Sequence, residues 1–112
     1  MDFPKFVRVR RRYEYLRFFN QSEVKRFDSC VVFRIPNTEE HARLGVTVKS
    51  KSGSVIRNKV KRIVRETFRL HRDRLKSFDY NVVVSGNHPI NHVTAKKVRK
   101  NLEAIWSHEV LF

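Results

Sequence analysis

The chain has 112 residues, which predicts one domain (residues 1–112) with a single core, and it carries 25 Lys and Arg against 11 Asp and Glu, a net charge of +14. That excess makes a compact domain repel itself unless a polyanion neutralises it, so nucleic acid is the first expected partner and an anionic membrane surface the second. The sequence has no run of roughly 18 apolar residues, no apolar run behind its basic N-terminus and no cysteine besides Cys30, which predicts a soluble cytoplasmic protein without a membrane partner or a disulfide.

The first half of the chain predicts a short helix followed by two strands. Residues 1–12 are basic and lack periodicity, which is typical either of an arm that orders on RNA or of a solvated tail. Residues 12–21 carry aromatic side chains at helical spacing, so we expect a helix with a wide aromatic surface. The apolar runs 30–35 and 44–48 predict two strands, antiparallel to each other across the acidic turn between them.

The second half predicts a long helix, a strand and a last helix. Residues 55–75 carry one apolar stripe, which includes Val60, Val64 and Phe68. Residues 80–85 contain three consecutive valines, which indicates a strand buried on both faces. The last helix begins at about residue 92 or 93, with Val98, Leu102, Ile105 and Trp106 as its apolar stripe. This order of elements predicts an α/β (α+β) sandwich, with helices on one small mixed sheet.

The long helix carries the strongest functional signal. Arg57, Lys61 and Arg65 are spaced by four and share one face, and Arg62 and Arg69 broaden that face. Solvated helical faces usually mix charge signs, whereas these like charges destabilise the isolated helix, so the pattern favours phosphate binding. We therefore predict nucleic-acid contacts at Lys49, Lys51, Arg57, Asn58, Lys59, Lys61, Arg62, Arg65 and Arg69.

Residues 57–66 read RNKVKRIVRE, which closely resembles the Arg-Asn-Arg motif of the bacterial ribonuclease P protein family. Residues 3–5, 43–46 and 80–84 are similar to other segments of that family, in the same order and spacing, so the resemblance covers essentially the whole chain. This sequence departs from the family's usual pattern in two places. The loop is one residue shorter before Arg57, with Ser54 in place of the usual Asn, and Lys59 replaces the commoner Arg.

The resemblance implies a βαβ crossover of left-handed sense and a role as the protein subunit of ribonuclease P. The partners would be the catalytic RNA, contacted by the nine residues named above from Lys49 to Arg69, and precursor tRNA, with Mg²⁺ bound mainly by the RNA and no small-molecule substrate. A cleft between the first helix and the sheet would hold the 5′ leader of precursor tRNA. Without the resemblance, Phe19 and Phe33 would more readily be core residues. The cleft residues implied are Tyr15, Phe19, Phe33, Lys61 and Arg65.

The sequence predicts no catalytic or metal-binding residues in the protein itself. Its histidines are scattered, its acidic residues are few and dispersed, and it has no nucleophile motif or phosphate-binding loop. Two other classes stay open at this point. A general RNA-binding module would explain the charge and the aromatics but not the motif order. A DNA-binding protein could read the major groove with the long helix, but no helix precedes it at helix-turn-helix spacing.

Overall fold

The computed structural model describes residues 8–9, 11–49, 53–75, 78–85 and 91–107. Among the helices in these ranges, none is both long and apolar enough to cross a membrane. The elements in chain order are α1 (Arg12–Leu16), α2 (Phe18–Gln21), β1 (Glu23–Arg26), β2 (Val31–Pro36), β3 (Arg43–Lys49), α3 (Ser54–His71), a 3₁₀ turn (Arg72–Leu75), β4 (Phe78–Ser85) and α4 (His92–Trp106).

The described strands form one mixed sheet in the order β1-β2-β4-β3. Strand β4 is parallel to β3, with Val82 opposite Val46, and antiparallel to β2, with Val82 opposite Val32. Helix α3 connects the two parallel strands. The predicted mixed sheet with helices and a βαβ crossover is therefore confirmed, while the sense of the crossover stays a prediction.

The predicted antiparallel pairing of residues 30–35 with residues 44–48 is wrong. Strand β4 lies between β2 and β3 and pairs with both. Its Val82 and Val84 are fully buried, and such an apolar strand is most stable at the centre of a sheet. The sequence also failed to indicate β1, an edge strand whose mostly exposed residues carry no hydrophobic signal.

The main core lies between the inner face of the sheet and helices α3 and α4. The apolar stripes predicted for both helices are buried or half-buried there. Trp106 makes edge-on contacts with Tyr80 and Phe68, at ring-centroid distances of 5.0 and 5.5 Å. Its indole Nε1 donates a hydrogen bond to Thr67 Oγ1 at 3.2 Å, so the buried polar atom has a partner.

The outer face of the sheet is only partly covered. The predicted first helix is two short helices that meet at Arg17, and Phe18 packs there with Val9 and Ile35 in a small second core. The amide of Val9 donates to the carbonyl oxygen of Leu44 at 2.9 Å. Arg8 and Val9 thus belong to the folded domain and not to an arm; residues 1–7 lie outside the described ranges.

Candidate nucleic-acid interface

An open groove of about 310 Å³ lies on the outer face of the sheet, beside α1 and α2. Its walls are mainly aromatic and aliphatic, with one lysine and a few neutral polar groups. Unpaired bases can stack on such a surface, and a cation at its edge can contact their phosphates. The lining residues are Tyr15, Phe18, Phe19, Phe33, Thr47, Lys49, Asn81 and Val83.

Tyr15 packs closely against the backbone of Gly45 because Gly45 has no side chain. A β-carbon at Gly45 would lie 2.7 Å from Cε1 and from the hydroxyl oxygen of Tyr15, which is closer than van der Waals contact allows. Burial raises the pKa of Tyr15, outweighing a backbone hydrogen bond with Val46 and the nearby charge of Arg65, which both lower it. The phenol is therefore neutral at physiological pH and presents a half-buried ring to the groove.

The phenylalanines of the groove differ in burial. Phe33 is half-buried on β2, where it pairs with Asn81 of the central strand. Phe18 is 4% exposed and belongs to the small core, whereas Phe19, the next residue, is 79% exposed. A ring so exposed contributes little to folding, so Phe19 is free to contact a bound molecule.

The other end of this face is closed by a buried ion cluster around Asp79. Arg43 donates to both Asp79 oxygens, at 2.9 and 2.6 Å, and Arg17 and Asn37 donate at 2.6 and 2.7 Å. Arg43 also donates to Glu14 at 2.6 Å. Burial raises the pKa of Asp79, but these hydrogen bonds outweigh it and the pKa is lowered overall. The cluster fastens α1 and the helix break at Arg17 to the sheet.

Helix α3 presents an uncompensated basic face. Its only carboxylate, Glu66, lies 3.6 Å from Arg99 of α4. Arg65 is half-buried, and burial together with the charge of Arg8 lowers its pKa. Its positive charge lowers the pKa of Tyr15, one of the residues that line the groove. Within the described ranges, the α3 cations that form no ion pair are Arg57, Lys61, Arg62, Arg65 and Arg69.

A family model described as Ribonuclease P matches residues 3–109 of the chain. The chain belongs to the ribonuclease P protein family. It is 34% identical to the ribonuclease P protein component of Dictyoglomus turgidum, over 93% of this chain and 89% of the relative. Its fold is similar to that of the RNase P protein from Staphylococcus aureus, with a TM-score of 0.72, 27% identity and coverage of 96% and 92% of the two chains. The RNase P protein from Thermotoga maritima gives a TM-score of 0.64 at 28% identity, with coverage of 89% and 88%.

The structure brings some of the residues predicted from the family resemblance together in the groove. Tyr15, Phe19 and Phe33 all line it. Lys49, which we predicted among the contacts to the catalytic RNA, lines it too. Lys61 and Arg65, which were also predicted for the cleft, are half-buried on α3 and do not line it. Lys51 lies outside the described residues. The remaining predicted residues, all on α3, are Arg57, Asn58, Lys59, Arg62 and Arg69.

Sequence reasoning missed Phe18, Thr47, Asn81 and Val83 as groove residues. The valine run predicted burial on both faces, which is wrong at Val83, because that side chain is only half-buried and lines the groove. One signal was available. Asn81 interrupts an apolar strand, and strict alternation places it on the same face as Val83.

Three findings bear on protein-based catalysis in this family member. Among the residues that the structure describes, no three His, Cys, Asp or Glu side chains come together as metal ligands. Burial raises the pKa of Cys30 to about 11, so its thiol is protonated and unreactive at neutral pH. The buried carboxylates Asp79 and Glu14 are both engaged by arginine.

Proposed function

We propose that this chain is the protein subunit of a ribonuclease P ribonucleoprotein, in which it binds the catalytic RNA and the single-stranded 5′ leader of precursor tRNA. The complex, acting in the cytoplasm, would cut precursor tRNA hydrolytically at the mature 5′ end. One observation carries the proposal: a chain of this family combines an open aromatic groove with an uncompensated basic helix, and the charge of Arg65 on that helix lowers the pKa of Tyr15 in the groove.

The groove suits a single strand whose sequence varies. Every base has a flat face, so stacking on Tyr15, Phe19 or Phe33 depends little on base identity and contributes about 1–3 kcal/mol per base. Lys49 lies at the same groove and supplies a positive charge for the leader backbone. A duplex hides the faces of its bases, so the groove favours an unpaired leader over the tRNA body.

The basic face of α3 suits the phosphates of a folded RNA. Arginine offers a planar fork of donors that matches phosphate oxygens, and Arg57, Arg62 and Arg69 lie on this helix without ion pairs to described residues. Phosphates would relieve the repulsion among these like charges. The exposed Asn58 adds an amide that can donate to, or accept from, a base edge or a 2′-hydroxyl.

The division of labour gives the protein no bond-breaking step. Mg²⁺, held mainly by the RNA, would activate the attacking water and stabilise the leaving oxygen. The protein would reduce RNA–RNA repulsion and extend the recognised substrate by one single-stranded segment. The protein would therefore contribute to the affinity of the complex for precursor tRNA and to the positioning of that substrate.

Cleavage of a precursor tRNA by a bacterial ribonuclease P RNA at low Mg²⁺, with and without this protein, tests the proposal. We expect strong stimulation, with the cut at the mature 5′ end, because added cations replace part of the screening that Mg²⁺ otherwise provides. Absence of stimulation, despite tight binding of a compatible RNA, would instead indicate a general RNA-binding module. Preference for duplex DNA in competition would indicate a DNA-binding protein.

Arg62→Ala tests the role of α3 in assembly with the catalytic RNA. We expect weaker assembly and a slope of log affinity against log salt that is smaller by about one, since one phosphate contact is lost. Arg99→Ala is the matched control, because Arg99 already lies within 4 Å of the carboxylates Glu66 and Glu103. Equal effects of the two variants on the salt slope would refute the assignment to α3.

A further inference from the structure

Phe19 is a groove residue with little packing of its own. Its side chain is 79% exposed, although it lines the groove. It belongs to α2, a helix of four residues, which is too short to be stable through its own hydrogen bonds. The direction in which the ring points therefore depends on contacts that fix the neighbouring backbone.

The two residues before Phe19 supply such contacts. Phe18 is 4% exposed and packs in the small second core. Arg17 lies at the junction of α1 and α2, and its guanidinium Nη2 donates to Asp79 Oδ2 at 2.6 Å. Its Nε donates to the carbonyl oxygen of Glu14 at 3.3 Å. One side chain thus connects the end of α1 and the start of α2 to the central strand.

The fold does not need Arg17 in order to satisfy Asp79. That carboxylate also accepts two hydrogen bonds from Arg43, at 2.9 and 2.6 Å, and one from Asn37, at 2.7 Å. The Arg17 side chain is 36% exposed, whereas Asp79 is fully buried and would keep a cation and three donors without it. Removal of Arg17 would therefore release the helix junction while the buried cluster on the sheet persists.

We propose that Arg17 is a positioning residue of the groove, which holds the junction of α1 and α2 on Asp79 and so orients Phe19 for stacking on the leader; this rests on the proposed function. A ring that is already oriented loses less conformational freedom when a ligand binds. Because Asp79 neutralises the guanidinium, Arg17 contributes to leader binding through the ring and not through a phosphate contact.

The test measures binding of precursor and mature tRNA to holoenzymes reconstituted with a bacterial ribonuclease P RNA. Arg17→Met keeps an apolar stem but removes the guanidinium. We expect precursor binding to weaken about twofold to tenfold, the order of one side chain's ordering cost, while mature tRNA binding and assembly with the catalytic RNA stay unchanged. Arg99→Met is the matched control, since it removes the same charge from a side chain that is 44% exposed and paired with Glu66 and Glu103. It should not change the ratio of the two affinities.

A double-mutant cycle with Phe19→Ala separates positioning from a direct contact. If Arg17 acts through the ring, Arg17→Met should weaken precursor binding no further once Phe19 is alanine. The slope of log affinity against log salt should also match that of Arg99→Met. Additive losses of affinity, or a slope smaller by about one than that of the control, would show that Arg17 contacts the leader backbone and would overturn the inference.

Two results with Arg17→Met alone would also overturn it. Equal weakening of precursor and mature tRNA binding would show a general loss of structure. Unchanged precursor binding would show that the ion pair with Asp79 does not orient the ring. If wild-type holoenzyme bound precursor and mature tRNA equally, the proposed function itself would fail.

Discussion

The two ends of the outer sheet face are built from the same strands but serve different purposes. At one end Asp79, Arg43 and Glu14 join in a buried ion cluster that fastens α1. At the other end Phe33 and Asn81 lie in an open groove. Strand β4 contributes Asp79 to the closed end and Asn81, two residues later, to the open end.

The comparison teaches how differently two buried polar groups on one strand face can contribute to the fold. The hydrogen bonds that Asp79 accepts lower its pKa and hold two helices and a loop in place. The acceptor of Asn81 has no described partner, although it is just as inaccessible. A buried charge that lost its partners would be costly to the fold, whereas an unmet neutral acceptor destabilises it less.

The largest effect on folding is expected at the closed end, from Asp79→Asn. This change leaves Arg43 and Arg17 facing a neutral group, and removing one partner of a buried ion pair costs about 3–5 kcal/mol. Urea unfolding should show that loss in the free energy of unfolding. Glu23→Gln is the control: Glu23 is 52% exposed in its pair with Arg34, so its loss should change stability by no more than about 0.5 kcal/mol. If Asp79→Asn and Glu23→Gln had equal unfolding free energies, the ion cluster around Asp79 would not stabilise the fold more than an exposed ion pair does.

Acid should abolish the advantage of Asp79 over asparagine. Because the folded-state pKa of Asp79 is lowered, its contribution is complete above the unfolded-state value of about 3.9 and is lost as the pH falls through the folded-state pKa. The difference in unfolding free energy between wild type and Asp79→Asn should thus be constant near neutral pH and shrink below about pH 4. A difference that stayed constant into strong acid would contradict the ion-cluster account.

Gly45→Ala should disturb the packing of Tyr15 against the sheet, between the ion cluster and the groove. The added methyl group would overlap the ring of Tyr15, and we expect a loss of about 1–3 kcal/mol in unfolding free energy, as for other overpacked sites. The ring would also leave its place at the groove, which should weaken binding of precursor tRNA. If the contact is the cause, adding Gly45→Ala to Tyr15→Ala should cost little more stability. If the losses of unfolding free energy from the two substitutions were strictly additive, the destabilisation by Gly45→Ala would have a cause other than contact with Tyr15.

The smallest effect on folding is expected at the open end, from Phe19→Ala. Its ring is 79% exposed, so unfolding free energy should change by no more than about 0.5 kcal/mol while precursor tRNA binding weakens. Phe18→Ala is the neighbouring control, and loss of that buried ring should cost about 3–5 kcal/mol. Similar unfolding curves for both variants would contradict the division of roles between these two residues.

The helices and their buried faces could be predicted because apolar spacing reports burial directly. The stripes of α3 and α4, with Phe68 among their residues, pack as expected. Strand pairing could not be predicted in the same way, since alternation says which residues are buried but not which strand lies beside them. Hence β4 was not recognised as the partner of both β2 and β3, and the polar edge strand β1 was overlooked.

The candidate site was predictable to a similar degree. Family resemblance indicated Tyr15, Phe19 and Phe33, and the structure places all three at one groove. The ion cluster and Asn81 were not foreseen, because each depends on residues far apart in sequence: Arg17 and Asp79, for example, are separated by 62 positions. Charge spacing on α3 identified a basic face but could not indicate that Lys49 belongs to the groove.

The most direct test of the central claim compares precursor and mature tRNA binding to holoenzymes carrying Phe33→Ala or Phe78→Ala. Both residues are half-buried phenylalanines of the sheet, but Phe78 packs against the main core, under the guanidinium of Arg34, and does not line the groove. We expect Phe33→Ala to weaken precursor binding by about 1–3 kcal/mol, roughly fivefold to a hundredfold, and to leave mature tRNA binding unchanged. Phe78→Ala should not change the ratio of the two affinities. Equal losses for precursor and mature tRNA in Phe33→Ala would contradict the assignment of the groove to the leader.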